Sequence, residues 1–188
     1  MTELLDKAEK FVLELFREKL PNTYLYHNFN HTHRVVKSTK ELMENSELNV
    51  KEELPLLLAA WFHDTGYTKK YKGHEEESVK IARDFLNENH VDEHIQEEVE
   101  KIILATKANA TPTTLAEKII RDADSSHIAK DYFAETSELL RQELQLHNIH
   151  NYSPSEWRAE NIKMFMEDHQ FYTDYGMKDW KIEKDHNL

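Results

Sequence analysis

Cysteine is absent from this chain of 188 residues. Disulfide bonds, thiolate metal sites and a cysteine nucleophile are therefore excluded, and the absence is compatible with a reducing compartment. Any metal site in the protein must use nitrogen and oxygen ligands.

The sequence also lacks long apolar runs and an excess of positive charge. No run approaches the roughly eighteen apolar residues of a membrane span, and residues 1–10 lack the basic and apolar regions of a secretory leader. We therefore predict a soluble, cytoplasmic protein. The formal net charge of −12 disfavours nucleic acid polymers and anionic membranes as partners, but a small phosphorylated substrate remains compatible with it where cations cluster locally.

Glycine is scarce, with three residues in the chain, and no strand-like alternation between turn signals persists. Apolar residues instead recur with helical spacing, which predicts an all-α, single-domain helical bundle of about seven to eight helices over residues 1–172. Residues 173–188 are expected to form a loosely attached tail. The first predicted helix ends before Pro21, and the others cover about residues 31–45, 51–64, 75–89, 92–107, 114–124, 127–147 and 154–170.

The pair His63–Asp64 closes an almost uninterrupted apolar run at residues 54–62. A helix that is apolar on every side is buried, and burying an ionised carboxylate costs several kcal/mol unless it is paired or bound to a metal. The carbonyl end of a helix is partially negative, which favours a bound cation there. We interpret the pair as metal ligands; the alternative is a helix-end histidine followed by an aspartate that faces water.

Helical register selects two further ligands. In the second predicted helix, for which Asn30 is the expected N-cap, His31 faces the apolar side and His33 projects about 200° away from it. In the helix that ends near residue 124, Asp124 shares the inner face and Asp122 falls on the polar face. We predict that His31 and Asp124 are buried and that His33 and Asp122 are solvated. A helix cap or an internal salt bridge is the alternative role for Asp124.

Another histidine belongs to the same region by its register. On the helix that follows Gly73, His74 faces inward, whereas His94 on the next helix lies on an outer face. His74 is therefore a candidate member of the site and His94 is not.

Together, His31, His63, Asp64 and Asp124 supply two imidazoles and two carboxylates from three helices. This mixed set suits one divalent ion of Mn, Fe, Ni, Co, Zn or Mg, and a second ion is left open. Four protein ligands leave coordination positions for water and a substrate oxygen, an arrangement that activates water and polarises a phosphoryl group.

Three segments, in this order, resemble the HD superfamily of metal-dependent phosphohydrolases and most of all its small stand-alone hydrolases. They are residues 26–35 (YHNFNHTHRV), 58–64 (LAAWFHD) and 121–124 (RDAD). The resemblance covers about residues 24–130. It implies a helical core of the HD/phosphodiesterase type in which His31, His63, Asp64 and Asp124 bind one divalent metal.

The segment Tyr26-His27-Asn28 is similar to the entrance of the site in cyclic-nucleotide phosphodiesterases, which are distant members of the superfamily. That similarity makes His27 the candidate general acid that protonates the leaving oxygen. A loop histidine bonded to the backbone is the alternative. His74 is a second candidate for the same role, and Asp64 is also expected to orient or deprotonate the water.

Substrate binding is assigned to cations that lie near these residues in the sequence or in the predicted turns. Lys69 and Lys70 closely follow the His-Asp doublet, and Arg34 and Lys107 lie near turns that also carry site residues. Such a cluster would attract an anionic substrate to an acidic protein. A charged loop in solvent is the alternative.

The leading hypothesis is hydrolysis of a phosphate ester, of a nucleotide or another small phosphorylated metabolite, by metal-activated water. The alternative is a non-catalytic, nucleotide-sensing HD module with a structural metal. An HD-fold oxygenase with two irons is a third and weaker option.

Overall fold

The computed structural model describes residues 2–187, and within them the chain forms nine α-helices and no strand. The predicted all-α bundle is confirmed, with one helix more than expected. None of the described helices is both long and apolar enough to cross a membrane. The helices are α1 (Thr2–Lys19), α2 (Phe29–Glu44), α3 (Val50–Phe62), α4 (His74–Glu88), α5 (Glu93–Leu104), α6 (Leu115–Asp124), α7 (Phe133–Leu146), α8 (Pro154–Lys163) and α9 (Lys181–His186).

Helix α3 lies at the centre of the fold, where it contacts α1, α2, α5 and α6. It is buried without interruption from Pro55 to Phe62, as its apolar run predicted. Because every face of this half of the helix is covered, the two residues that follow it, His63 and Asp64, are also held inside the protein.

After α3 the chain continues through a 3₁₀ turn at Thr65–Thr68, on which α4 packs closely. A Cβ atom at Gly66 would lie 1.8 Å from the carbonyl oxygen of His74, so only glycine fits this crossing. The Ser78 hydroxyl of α4 donates to the carbonyl oxygen of His63 at 2.6 Å and accepts from the Gly66 N–H at 2.8 Å. These contacts fix the end of α3 against the start of α4.

Helix α2 begins two residues earlier than predicted because Asn28, not Asn30, is its N-cap. The Asn28 side chain accepts hydrogen bonds from the backbone N–H groups of Asn30 and His31. Two otherwise unpaired donors at the start of the helix are thereby satisfied. The cap also fixes His31 in the first turn of α2.

The C-terminal segment, residues 168–187, is packed against the bundle, so the predicted loose attachment of residues 173–188 is wrong for the part that the structure describes. Trp180 is 3% exposed, and its indole N–H donates to Glu41 of α2 at 2.8 Å. Gly176 lies so close to α6 that a Cβ atom there would be 2.7 Å from a carboxylate oxygen of Asp122. The sequence pattern missed this packing because it depends on two isolated residues rather than on a periodic apolar face.

Candidate metal centre

His31 projects from the first turn of α2 into the interior, where 3% of its side chain is exposed. Its Nε2 atom lies 3.1 Å from Asp124 Oδ1 and 3.5 Å from His63 Nε2. His33, two residues later, is exposed as the register predicted. His31 is therefore the histidine that α2 contributes to the cluster.

His63 and Asp64 lie where α3 meets the 3₁₀ turn. His63 Nδ1 is 2.9 Å from the carbonyl oxygen of Ala60, so this nitrogen carries the proton and Nε2 is the nitrogen available to a ligand. Asp64 Oδ2 lies 3.3 Å from the Nε2 atoms of both His63 and His31. The backbone at the end of α3 thus orients both residues of the doublet toward one point.

The spacing of these atoms fits a bound cation. The ligand atoms of His31, His63 and Asp124 all lie within 4.8 Å of one another, and Asp64 adjoins this group through its contacts with the two imidazoles. Two ligands that are each about 2.1 Å from one ion are separated by about 3.0–3.4 Å when they subtend a right or tetrahedral angle. Asp64 Oδ2 is buried and has no hydrogen-bond partner among the described residues, which a cation would correct.

Opposite charges stabilise the cluster. Burial by itself lowers the pKa of His63, but Asp64 and Asp124 outweigh this effect and raise that pKa well above its ordinary value. Burial raises the pKa of Asp64, yet His63 and His31 bring it well below the usual range. The carboxylates therefore stay ionised and require positive charge between them, either protons on the imidazoles or a metal cation.

The predicted burial of Asp124 and the predicted solvent exposure of Asp122 are both wrong. Asp122 is 1% exposed, and its carboxylate accepts hydrogen bonds from the backbone N–H of Tyr172 and from both the N–H and the hydroxyl of Thr173. The side chain of Asp124 is 32% exposed. Register alone placed Asp122 in solvent because the covering partner lies some fifty residues further along the chain. The inward direction of Asp124 toward the histidines is nonetheless as predicted.

His74 lies beside the cluster, at the start of α4. Its Nε2 is 3.5 Å from Asp64 Oδ1, its Nδ1 is 3.1 Å from the carbonyl oxygen of Tyr71, and its ring stacks on Tyr67 with centroids 3.8 Å apart. Burial by itself lowers the pKa of His74, but the hydrogen bond to Asp64 leaves it raised on balance. His94, in contrast, is exposed, as predicted.

His27 is positioned by a buried carboxylate that the sequence analysis missed. Its Nδ1 forms a short hydrogen bond with Glu143 of α7, and Glu143 also accepts from the backbone N–H groups of Tyr26 at 2.7 Å and His27 at 3.0 Å. Burial raises the pKa of Glu143, but these hydrogen bonds outweigh it and leave the pKa lowered. Glu143 is fully buried on the same face of α7 as Thr136, which is a register signal that could have identified it.

The predicted substrate-binding cations do not form ion pairs with the proposed metal ligands among the described residues. Lys69 and Lys70 are exposed, and Lys70 pairs with Glu77 at 3.1 Å. Lys107 pairs with a glutamate of α4 at 2.5 Å. Arg34 lies over the ring of Tyr132, 5.6 Å from its centroid. Two of the four positive charges are therefore balanced locally by neighbouring carboxylates.

Comparison with known proteins identifies one family. The model of the HD domain matches residues 28–129, which are 102 of the 188 residues. The match contains His31, His63, Asp64 and Asp124, and it ends before α7 and the C-terminal segment. No curated protein and no solved structure matches the chain.

Proposed function

The chain belongs to the HD-domain family, and from that premise we propose that it hydrolyses a phosphate ester of a nucleotide or another small phosphorylated metabolite through metal-activated water. HD domains form a superfamily of metal-dependent phosphohydrolases. The observation that carries the proposal is the cluster of His31, His63, Asp64 and Asp124, in which the buried Oδ2 of Asp64 has no hydrogen-bond partner within residues 2–187.

In this proposal the four clustered side chains hold one divalent ion, of the class Mn, Fe, Ni, Co, Zn or Mg. When bound, such an ion supplies Lewis acidity, which polarises a phosphoryl group and lowers the pKa of water. Asp64 also orients the attacking water or accepts its proton, since its carboxylate has a second oxygen, Oδ1, on the side of His74. Both roles require Asp64 to be ionised, as its lowered pKa provides.

His27 is assigned to protonate the leaving oxygen as the phosphorus–oxygen ester bond breaks. Glu143 accepts a hydrogen bond from Nδ1 and thereby holds the imidazole in one orientation, with Nε2 left to act on the substrate. The same arrangement of carboxylate and imidazole positions the general acid or base in many hydrolases. His74 is the second candidate for this step because it is held by Tyr71 and reaches Asp64.

The proposal is tested by assaying a panel of phosphomonoesters and nucleotides with each of the candidate metals. We expect metal-dependent turnover that Asp64→Ala lowers by about a thousandfold or more, since it removes both a ligand and the group that handles water. Asp84→Ala is the matched control, because Asp84 is exposed on α4 and forms no ion pair within the described residues. Equal activity in Asp64→Ala and the control would refute the proposal. Tight nucleotide binding without turnover would instead favour a nucleotide-sensing module with a structural metal.

A further inference from the structure

Of the four residues of the candidate metal centre, one has a side chain with substantial solvent exposure. The side chains of His63, His31 and Asp64 are 0%, 3% and 5% exposed, whereas that of Asp124 is 32% exposed. A cavity of about 230 Å³ adjoins Asp124. This cavity is therefore a candidate approach for a substrate to the cluster.

The cavity lies between the end of α6 and the C-terminal segment. The C-terminal segment forms one wall of this cavity, which we call the wall. The carboxylate of Asp122 accepts three hydrogen bonds from Tyr172 and Thr173 and thereby holds the segment against α6. His169 Nε2 adds a contact of 3.0 Å to the Ser125 hydroxyl. The cavity is lined by Arg121 and Asp124 of α6, by Ser125 directly after that helix, and by residues of the segment that include Asp168, His169 and Tyr172.

Arg121 lines this cavity and has an unused hydrogen-bonding edge among the described residues. Its Nη1 donates to the carbonyl oxygens of Thr106 at 2.9 Å and Lys107 at 2.7 Å, which fixes the guanidinium. Guanidinium has five N–H donors, and the three on Nε and Nη2 have no partner among the described residues. Those two nitrogens form the edge that binds phosphate or carboxylate with two parallel hydrogen bonds.

Two cations, Arg121 and Lys184, lie at or behind this cavity and form no ion pair among the described residues. Arg121 forms no ion pair within residues 2–187, unlike Lys70 and Lys107. A second cation, Lys184, is buried behind the wall, where its Nζ donates to the carbonyl oxygen of His169 at 2.8 Å and pairs with no described carboxylate. Asp124 and Asp168 are the carboxylates in the lining of the cavity, and Asp168 is exposed to solvent.

We infer that Arg121 is the substrate-binding cation of this site and that it holds phosphate oxygens of the substrate through its Nε and Nη2 atoms. The C-terminal segment, which lies outside the HD-domain match, forms the wall that closes this anion subsite. The inference rests on the proposed function for the identity of the anion, which is a phosphate group.

The test uses metal-loaded protein and inorganic phosphate as the probe, with calorimetry to measure its dissociation constant. We expect Arg121→Gln to weaken phosphate binding about 10- to 100-fold, as the loss of a bidentate charged contact does, while metal content stays unchanged. Lys118→Gln is the matched control, since it removes the same charge one turn earlier on α6 from a residue that does not line the cavity. We expect it to change binding less than twofold.

Three results would overturn the inference: no phosphate binding by the wild-type protein, equal losses in Arg121→Gln and the control, or no loss in either. If Arg121→Gln fails to fold, Arg121→Lys is measured in its place, because lysine keeps the positive charge but lacks the two parallel N–H donors of the guanidinium. We expect a loss of about fivefold or more for it, and unchanged binding would contradict the inference. Phosphate binding is measured without turnover. A protein that binds phosphate through Arg121 but hydrolyses no ester would therefore refute the proposed hydrolysis and still support the anion subsite. In an active protein, Arg121→Gln should lower kcat/KM, with a rise in KM as part of the loss.

Discussion

The segment matched by the HD domain and the C-terminal segment contribute opposite kinds of surface to one site. The first supplies the four proposed metal ligands, three of which have side chains that are at most 5% exposed. The second supplies a half-buried wall with His169 and Tyr172, facing the only exposed ligand of the four. We propose that metal binding depends on the buried residues and that substrate recognition depends on Arg121 of α6 together with the wall that closes its cavity, so each can be altered while the other is kept.

The largest predicted effect is a loss of turnover from substitutions that alter neither the proposed metal ligands nor the C-terminal segment. His27→Gln and Glu143→Gln should each lower kcat about 100- to 1000-fold, because one removes the proposed general acid and the other its orienting carboxylate. The double variant should be little worse than either single one, since the two residues act as a unit. Steady-state kinetics on metal-loaded protein measures all three.

Glu135→Gln is the matched control for that series, because Glu135 is an exposed glutamate on α7 with no ion pair among the described residues. It should retain wild-type kcat. Metal content distinguishes a catalytic defect from a collapsed site and should be unchanged in every variant. Wild-type kcat in His27→Gln would exclude His27 as the general acid and leave His74 as the candidate for that role.

A second prediction concerns a substitution that displaces the C-terminal segment from α6 and leaves the proposed metal ligands unchanged. Gly176→Ala places a Cβ atom 2.7 Å from Asp122 Oδ2 and 2.9 Å from Thr173 Oγ1, so it forces the C-terminal segment away from α6. We expect the free energy of unfolding to fall by about 2 kcal/mol, as overpacking does, and KM to rise more than kcat falls. Met177→Ala, at an exposed neighbour, should change neither. Loss of metal from Gly176→Ala would show that the two regions are not separable.

The smallest predicted effect is a pH-dependent contribution of His169, in the C-terminal segment, to the free energy of unfolding. Burial, together with Lys184 and Arg121, lowers the pKa of His169 to about 4, from about 6.5 in an unfolded chain. The unfolded state therefore binds more protons between these values, and His169 reduces stability as pH falls from about 6.5 to 4. Burial raises the pKa of Asp122 to about 6, which acts in the opposite direction, so the comparison must be between variants.

Urea unfolding of wild type and His169→Gln at pH 7.5 and pH 4.5 isolates this contribution. The wild type should lose more stability on acidification than the variant does, by on the order of 1 kcal/mol after allowance for partial solvent exposure. Identical losses in the two proteins would contradict the neutral state assigned to His169.

The buried region was predictable from the sequence because its signals are local. An apolar run that ends in His63–Asp64 and a helical register that selects His31 over His33 both act within a few residues. The burial of Asp122 was not predictable in this way, since its partners Tyr172 and Thr173 lie about fifty residues away.

The wall and the positioning of His27 depend on the same kind of distant contact. Glu143 meets His27 across more than a hundred residues of chain, and Trp180 reaches Glu41 across a still longer separation. The cavity that Arg121 lines is closed by the C-terminal segment, which lies about fifty residues further along the chain. Single-residue anchors of this type leave no periodic pattern in the sequence.

The most direct test of the account is the metal content of the protein after loading with Mn²⁺ and desalting, measured by elemental analysis. The account predicts about one ion per chain in the wild type and in Gly176→Ala. It predicts less than about a tenth of an ion in folded His31→Ala and His63→Ala, because each removes one of four ligands. Retention of the ion by both histidine variants would contradict the assignment of these residues as metal ligands. Failure of the folded wild-type protein to bind any of the candidate metals would contradict it as well.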